Sequence, residues 1–119
     1  MDLESICKKV MDLDNKIRFV GIINEKGRLV AGGMRKGVEP LENPKQSEIL
    51  FMELALRVKM RKEFDGQMGP VKFAMSYREK AVIMSFPIRN DNVLYVSADT
   101  KLDFKNISSK ILKIFQKEQ

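Results

Sequence analysis

Cys7 is the only thiol in a sequence of 119 residues that contains no histidine. A cysteine nucleophile needs a neighbouring base or a lowered pKa to populate its thiolate. Cys7 instead shares helical spacing with Leu3, Ile6 and Val10, a setting in which cysteine acts as a small hydrophobe. General acid-base chemistry is the other route open to this composition, and it works best with a group that titrates near neutrality, most often histidine. The carboxylates stand beside cations, as in Glu25-Lys26, Lys62-Glu63 and Glu79-Lys80, the pattern of solvated turns and helix faces. With one Cys and no His the usual ligands of zinc and other transition metals are missing, and no internal disulfide can close. Gly32-Gly33 and Gly37 hint at a phosphate-cradling loop, yet neither the P-loop spacing nor the dinucleotide fingerprint is present. The sequence therefore predicts no catalytic residue, no metal and no cofactor.

The elements that hold these residues follow from periodicity. Leu3, Ile6, Cys7, Val10 and Leu13 form the stripe of a short first helix, with Asp2 and Glu4 at the end where the helix dipole favours negative charge. Ile17 to Ile23 reads as a strand, Asn24-Glu25-Lys26-Gly27 as a turn and Arg28 to Ala31 as the return strand. Glycines and prolines from Gly32 to Pro44 predict a loop, followed by a second helix from about Lys45 to Phe64. Asp65 to Pro70 reads as a loop. Val71 to Tyr77, Ala81 to Ile88 and Val93 to Ala98 are three strands joined by Glu79-Lys80 and by Arg89-Asn90-Asp91-Asn92. Leu102, Phe104, Ile107, Ile111, Ile114 and Phe115 mark a last helix. No repeat or linker divides residues 1–119, which predicts one domain. The fold class is α+β: a five-stranded antiparallel sheet in the order α-β-β-α-β-β-β-α, with one helix on one face and two on the other.

The second helix carries apolar residues on opposite sides. At about 100° per residue, Ile49, Met52, Leu56 and Met60 form one group and Leu50, Phe51, Leu54 and Val58 the other. A helix with two apolar sides is buried on both, and a chain this short has no third layer to supply the second cover. Self-association across a two-fold axis is the expectation. Leu50, Phe51, Leu54 and Val58 are assigned to the partner and the other four to the sheet, with the exchange of the two sides left open. The edge strand with Val71 and Phe73 is expected to add backbone hydrogen bonds across the same axis.

Val20-Gly21-Ile22-Ile23-Asn24-Glu25-Lys26-Gly27 resembles the first hairpin of the roadblock family of profilin-like folds. Val71-Lys72-Phe73, Arg78-Glu79-Lys80, Val82-Ile83-Met84, Arg89-Asn90-Asp91 and Val93-Leu94-Tyr95-Val96 resemble its three-strand meander. The resemblance runs from Leu3 to Phe115. It implies a non-catalytic homodimer or heterodimer with sheets joined edge to edge and central helices packed antiparallel. It also implies a small Ras-like GTPase, or another roadblock-type subunit, as partner.

Lys plus Arg number 22 against 16 Asp plus Glu, a net charge of +6, which suits steering toward an acidic surface. Arg57, Arg61 and Lys62 at the end of the second helix are the candidate partner-binding residues, with Lys59 beside them, and Lys105, Lys110, Lys113 and Lys117 decorate the last helix. Nucleic-acid binding would want such charges on one face with aromatic stacking groups. The seven Phe and two Tyr fall mainly on core positions, which argues against it. A small-ligand sensor is the other rival, with Ser76, Ser85 and Ser97 as its polar groups. Of the eight methionines, Met52, Met60, Met75 and Met84 follow the apolar periodicities of core positions, while Met11 and Met34 do not. No apolar run approaches the ~20 residues of a membrane span, and nothing in Asp2-Leu3-Glu4 suggests a secretory signal, so the expected location is cytoplasmic.

Overall fold

A computed structural model describes the backbone of residues 2–118 and the side chains of residues 2–116. The Lys117 side chain, counted above among the cations of the last helix, lies outside the described residues. Asp2 caps the first helix, α1 (Leu3–Met11), by accepting the backbone N–H of Ser5 at 2.9 Å and its hydroxyl at 3.1 Å. Strands β1 (Ile17–Ile23) and β2 (Leu29–Met34) form a hairpin. At its tip the Asn24 Oδ1 accepts the N–H groups of Lys26 (2.9 Å) and Arg28 (3.0 Å). Helix α2 (Pro44–Arg61) starts at a capping box, in which Asn43 Oδ1 accepts from Gln46 N and Gln46 Oε1 accepts from Asn43 N. A 3-10 turn (Lys62–Phe64) and a single helical turn, α3 (Asp65–Met68), follow. The meander β3 (Ala74–Tyr77), β4 (Val82–Pro87), β5 (Val93–Ala98) and the helix α4 (Phe104–Glu118) complete the fold.

The five strands lie in the order β2-β1-β5-β4-β3 and every pairing is antiparallel. Strand alternation divides the side chains between two faces. Val20, Ile22, Val82, Met84, Phe86, Leu94 and Val96 pack with Ile6, Cys7 and Val10 of α1 and Ile107 and Ile111 of α4 in the main core. On the other face Ile23 and Tyr95 pack with Phe51 of α2. One helix therefore covers one face and two cover the other, as the residue pattern predicts.

Several boundaries differ from the sequence reading: the second helix, read to Phe64, ends at Arg61 and gives way to the 3-10 turn, and β4 is one residue shorter at each end than Ala81 to Ile88. Gly32-Gly33 belongs to β2, which runs on to Met34. The segment 65–68, read as loop, is a helical turn. Strand β3 begins at Ala74, three residues after the expected Val71. The register pairs Ala74 with Ser85, so the next hydrogen-bonded position would set Lys72 opposite Pro87, which has no N–H to give the ladder.

One long-range contact fixes α1 to the hairpin. The Arg35 guanidinium donates from Nε to the Ile17 carbonyl at 2.7 Å and from Nη2 to the carbonyls of Met11 (2.7 Å) and Asp14 (2.8 Å). It thereby takes up carbonyls at and just beyond the C-terminus of α1, which the helix itself leaves unpaired.

The Cys7 thiol is buried at the α1–β2 contact. Burial, and to a smaller extent the charge of Glu4, push its pKa from about 9 up to about 11. The native thiol should therefore react with a disulfide reagent at pH 8 far more slowly than the thiol of the urea-unfolded chain, as absorbance will show. Since the folded pKa is the higher one, this contribution to stability is full below about pH 9 and fades as pH rises toward about 11.

Candidate interaction surface

Helix α2 presents three sides. Phe51, Ala55 and Val58 are buried against the sheet, with Phe51 in a ring cluster at 5.9 Å from Phe19 and 5.5 Å from Tyr95. Leu50 and Leu54 are half-buried on the side toward β3. Ile49, Met52, Leu56 and Met60 point away from the sheet, 60%, 61%, 58% and 63% exposed.

The two apolar sides are thus exchanged relative to the sequence assignment: Phe51 and Val58 are inside, while Ile49, Met52, Leu56 and Met60 are outside. The physical reason is shape, because the Phe51 ring completes a three-ring cluster, edge-on to Tyr95 and tilted against Phe19, which already touch each other. Phe73 belongs to the chain's own core, stacked on Phe86 at 5.5 Å. Val71 is half-buried near Pro87 and Val58. Leu50 and Leu54 keep a side free.

That free side borders a groove of about 260 Å³ between α2 and the β3 edge. Its floor is Ala74, Ser76, Ile83 and Ser85, and its rim carries Arg57, Arg61 and Arg78 with Glu53. The groove exists because α2 sits over β1 and β5, while the β3–β4 part of the same face bears small residues and has no helix above it. The Tyr95 phenol at its inner wall is held in its neutral form by burial, with the charge of Glu42 acting in the same direction.

The three candidate partner residues do not form one free patch. Arg57 pairs with Glu53 at 3.2 Å, Arg61 is half-buried in the groove rim, and Lys62 reaches Asp91 at 2.6 Å. The Lys62 hydrogen bond holds the Asp91 carboxyl below its ordinary pKa. Ser76 and Ser85 share the groove, whereas Ser97 lies near Arg18 and Glu42 elsewhere on the sheet. Lys105, Lys110 and Lys113 are on α4, across the sheet from the cations of α2. Sequence reasoning missed Arg78 and Tyr95 as groove residues; the alternation of Ala74, Ser76 and Arg78 along one strand face was the available signal. Among the described residues no cluster of His, Cys, Asp or Glu could hold a metal ion, and no helix is long and apolar enough to cross a membrane.

The backbone of β3 is open on its outer side. Arg78 N–H donates to the Ala81 carbonyl at 2.9 Å and Ser76 pairs with Ile83, so residues 74, 76 and 78 direct their peptide groups to β4. Antiparallel alternation leaves those of Met75 and Tyr77 pointing outward. The other sheet edge is partly closed, because Glu4 Oε1 accepts the Gly32 N–H at 3.1 Å.

An α2-covered antiparallel sheet with this strand order, backed by two helices, is the roadblock-type fold, and comparison with solved structures agrees. The Roadblock/LC7 domain from Streptomyces avermitilis superposes with a TM-score of 0.70 at 9% identity, over 99% of this chain and 98% of that one. The gliding protein MglB from Thermus thermophilus gives 0.65 at 14% identity, over 95% and 87%. Myxococcus xanthus MglB gives 0.63 at 15% identity, over 96% and 94%. No curated protein matches the sequence. Residues 1–119 match a family of unknown function, DUF6659, and the chain belongs to that family.

Proposed function

We propose that this protein is a non-catalytic, homodimeric interaction module of roadblock type, whose copies join through the α2–β3 groove and the open β3 edge. The observation that carries this reading is the uncovered groove beside an unpaired strand, on a fold shared with roadblock domains. Leu50 and Leu54 supply its apolar wall, and Ala74, Ser76 and Ser85 are small enough to admit a second helix. The outward peptide groups suggest a register in which Met75 pairs with Met75 of the second copy and Phe73 with Tyr77. A two-fold axis there runs perpendicular to the sheet and builds ten continuous strands, removing an edge that would otherwise invite aggregation. Phe51 and Val58 then support the interface from beneath, while Val71 and Phe73 shape the start of the edge strand.

A small Ras-like GTPase, or another roadblock-type subunit in a heterodimer, is the further partner we propose. Arg57 and Arg61 stand on the rim of the groove that the second copy fills, so of the three cations only Lys62, with the exposed Lys59, is left at the carboxyl end of α2 to meet it, and the net charge of +6 favours approach to an acidic partner. Sedimentation equilibrium of the pure chain tests the dimer: a mass of two chains at micromolar concentration is expected, and a monomer at all accessible concentrations would end the reading. Affinity capture from native extract tests the partner, with salt-sensitive recovery of nucleic acid alone as the contrary outcome.

A further inference from the structure

The chain leaves the polar groups of its own groove without partners. The antiparallel register puts Tyr95, Ser85 and Ala74 in one row across β5, β4 and β3, and a row that ends in alanine leaves the two hydroxyls uncovered on that side. Ser85 is 4% exposed and Tyr95 2%. Neither hydroxyl is in a hydrogen bond among the described residues, where every side-chain oxygen or nitrogen sealed from solvent has one. What exposure these two oxygens keep therefore opens into the groove that they line. Buried hydroxyls are nearly always partnered, so two that are not mark the place of a group from outside the chain.

The charges around them are as one-sided. Arg57, Arg61 and Arg78 face the groove against a single carboxylate, Glu53, which Arg57 already engages at 3.2 Å. The guanidinium groups of Arg61 and Arg78 are in no ion pair and no hydrogen bond among the described residues. Three cations less one anion leave an excess of two positive charges. A guanidinium can only donate hydrogen bonds, and the Tyr95 phenol, kept neutral by burial, retains a proton to give. The complement of this wall is a molecule rich in acceptors with a charge near −2.

A phosphate monoester has both properties, with three terminal oxygens and a charge of about −1.5 to −2 near neutral pH. A carboxylate brings one charge and two oxygens. The groove of about 260 Å³ leaves room beyond the phosphate group, yet it is below the ~300 Å³ at which pockets for drug-sized ligands begin. Leu50, Leu54 and Ile83 give a small organic remainder an apolar wall. We propose that the α2–β3 groove is a binding site for a small, soluble phosphate monoester, whose oxygens accept from the Ser85 and Tyr95 hydroxyls and whose charge is balanced by the rim arginines. The same walls receive the second copy in the groove dimer, so ligand and second copy exclude one another. That coupling rests on the groove reading above, whereas phosphate binding does not.

Amide NMR titration of the intact chain with phenyl phosphate at low salt tests the site, with circular dichroism confirming the fold of each variant. Saturable shifts at Ser76, Ser85 and Tyr95 are expected, with inorganic phosphate binding more weakly. Ser85→Ala and Tyr95→Phe should each weaken binding ~10-fold, and Arg61→Gln and Arg78→Gln each by ~5-fold or more. Lys105→Gln, on α4 across the sheet, should leave it unchanged. No saturable shift, an equal loss with Lys105→Gln, or binding only to vesicles that hold phosphatidic acid would overturn the proposal. Sedimentation equilibrium separates it from the groove dimer: saturating phenyl phosphate should drive the wild type from dimer toward monomer. Saturable binding with no change of mass would uphold the site and count against the groove dimer, while a dimer that shows no saturable shift would count against the site alone.

Discussion

Gly32→Ala is expected to destabilise the fold by about 2–5 kcal/mol, the sum of a left-handed backbone cost of roughly 1–2 kcal/mol and an overpacking cost of roughly 1–3 kcal/mol. Gly32 has φ +87°, and a Cβ there would run into the Val20 carbonyl oxygen, 2.9 Å from Gly21 Cα and 3.0 Å from the Cys7 sulfur. Two of these three contacts are backbone of the adjacent strand, which cannot move aside without breaking the β1–β2 ladder. A domain of this length has a total stability of about 6–18 kcal/mol, so the change removes a large share of it. The neighbouring Gly33 is the control: a Cβ there meets nothing within 4 Å, and Gly33→Ala should stay within about 0.5 kcal/mol of wild type. Urea titration of the two variants reads the difference as a shift in midpoint at similar slope. Equal midpoints for the two would refute the crowding of Gly32 against the β1 backbone.

Leu54→Lys is expected to weaken the groove dimer by at least ~100-fold, equivalent to about 2.7 kcal/mol. Leu54 is half-buried at the groove, on the same side as Arg57 and Arg61. The substitution removes an apolar side chain whose burial contributes roughly 1.5–3 kcal/mol and adds a third cation to that wall. By symmetry it acts twice in each dimer. Because the position borders open space within the monomer, the fold itself should survive. Met75→Pro attacks the same contact from the backbone, since the Met75 N–H points away from β4 and its loss leaves the internal ladder intact. Both variants should sediment as folded species that have lost the groove contact. An unchanged association constant in both would move the interface elsewhere.

The local elements were legible because each is written in a short stretch of residues. Val93 to Ala98 is a strand with both boundaries as read, and the Asn24–Gly27 turn depends only on an amide side chain and a glycine with φ +79°. Less legible were features that depend on what lies opposite. The late start of β3 follows from Pro87 on the neighbouring strand, the strand character of Gly32-Gly33 from the approach of Val20, and the role of Arg35 from three carbonyls distant in the sequence.

The candidate surface divides the same way. The sequence by itself determined the order of elements, the absence of histidine, the excess of positive charge and the presence of two apolar sides on α2. Periodicity records how side chains repeat around a helix axis, and both arcs of α2 repeat equally well. Which arc turns inward depended on a contact that no local pattern contains: the Phe51 ring fits edge-on against Tyr95 and beside Phe19, and Met52, placed over Gly27 at the hairpin tip, is held outside. Tertiary packing alone decided that choice, and with it which apolar residues remain for a second molecule to cover.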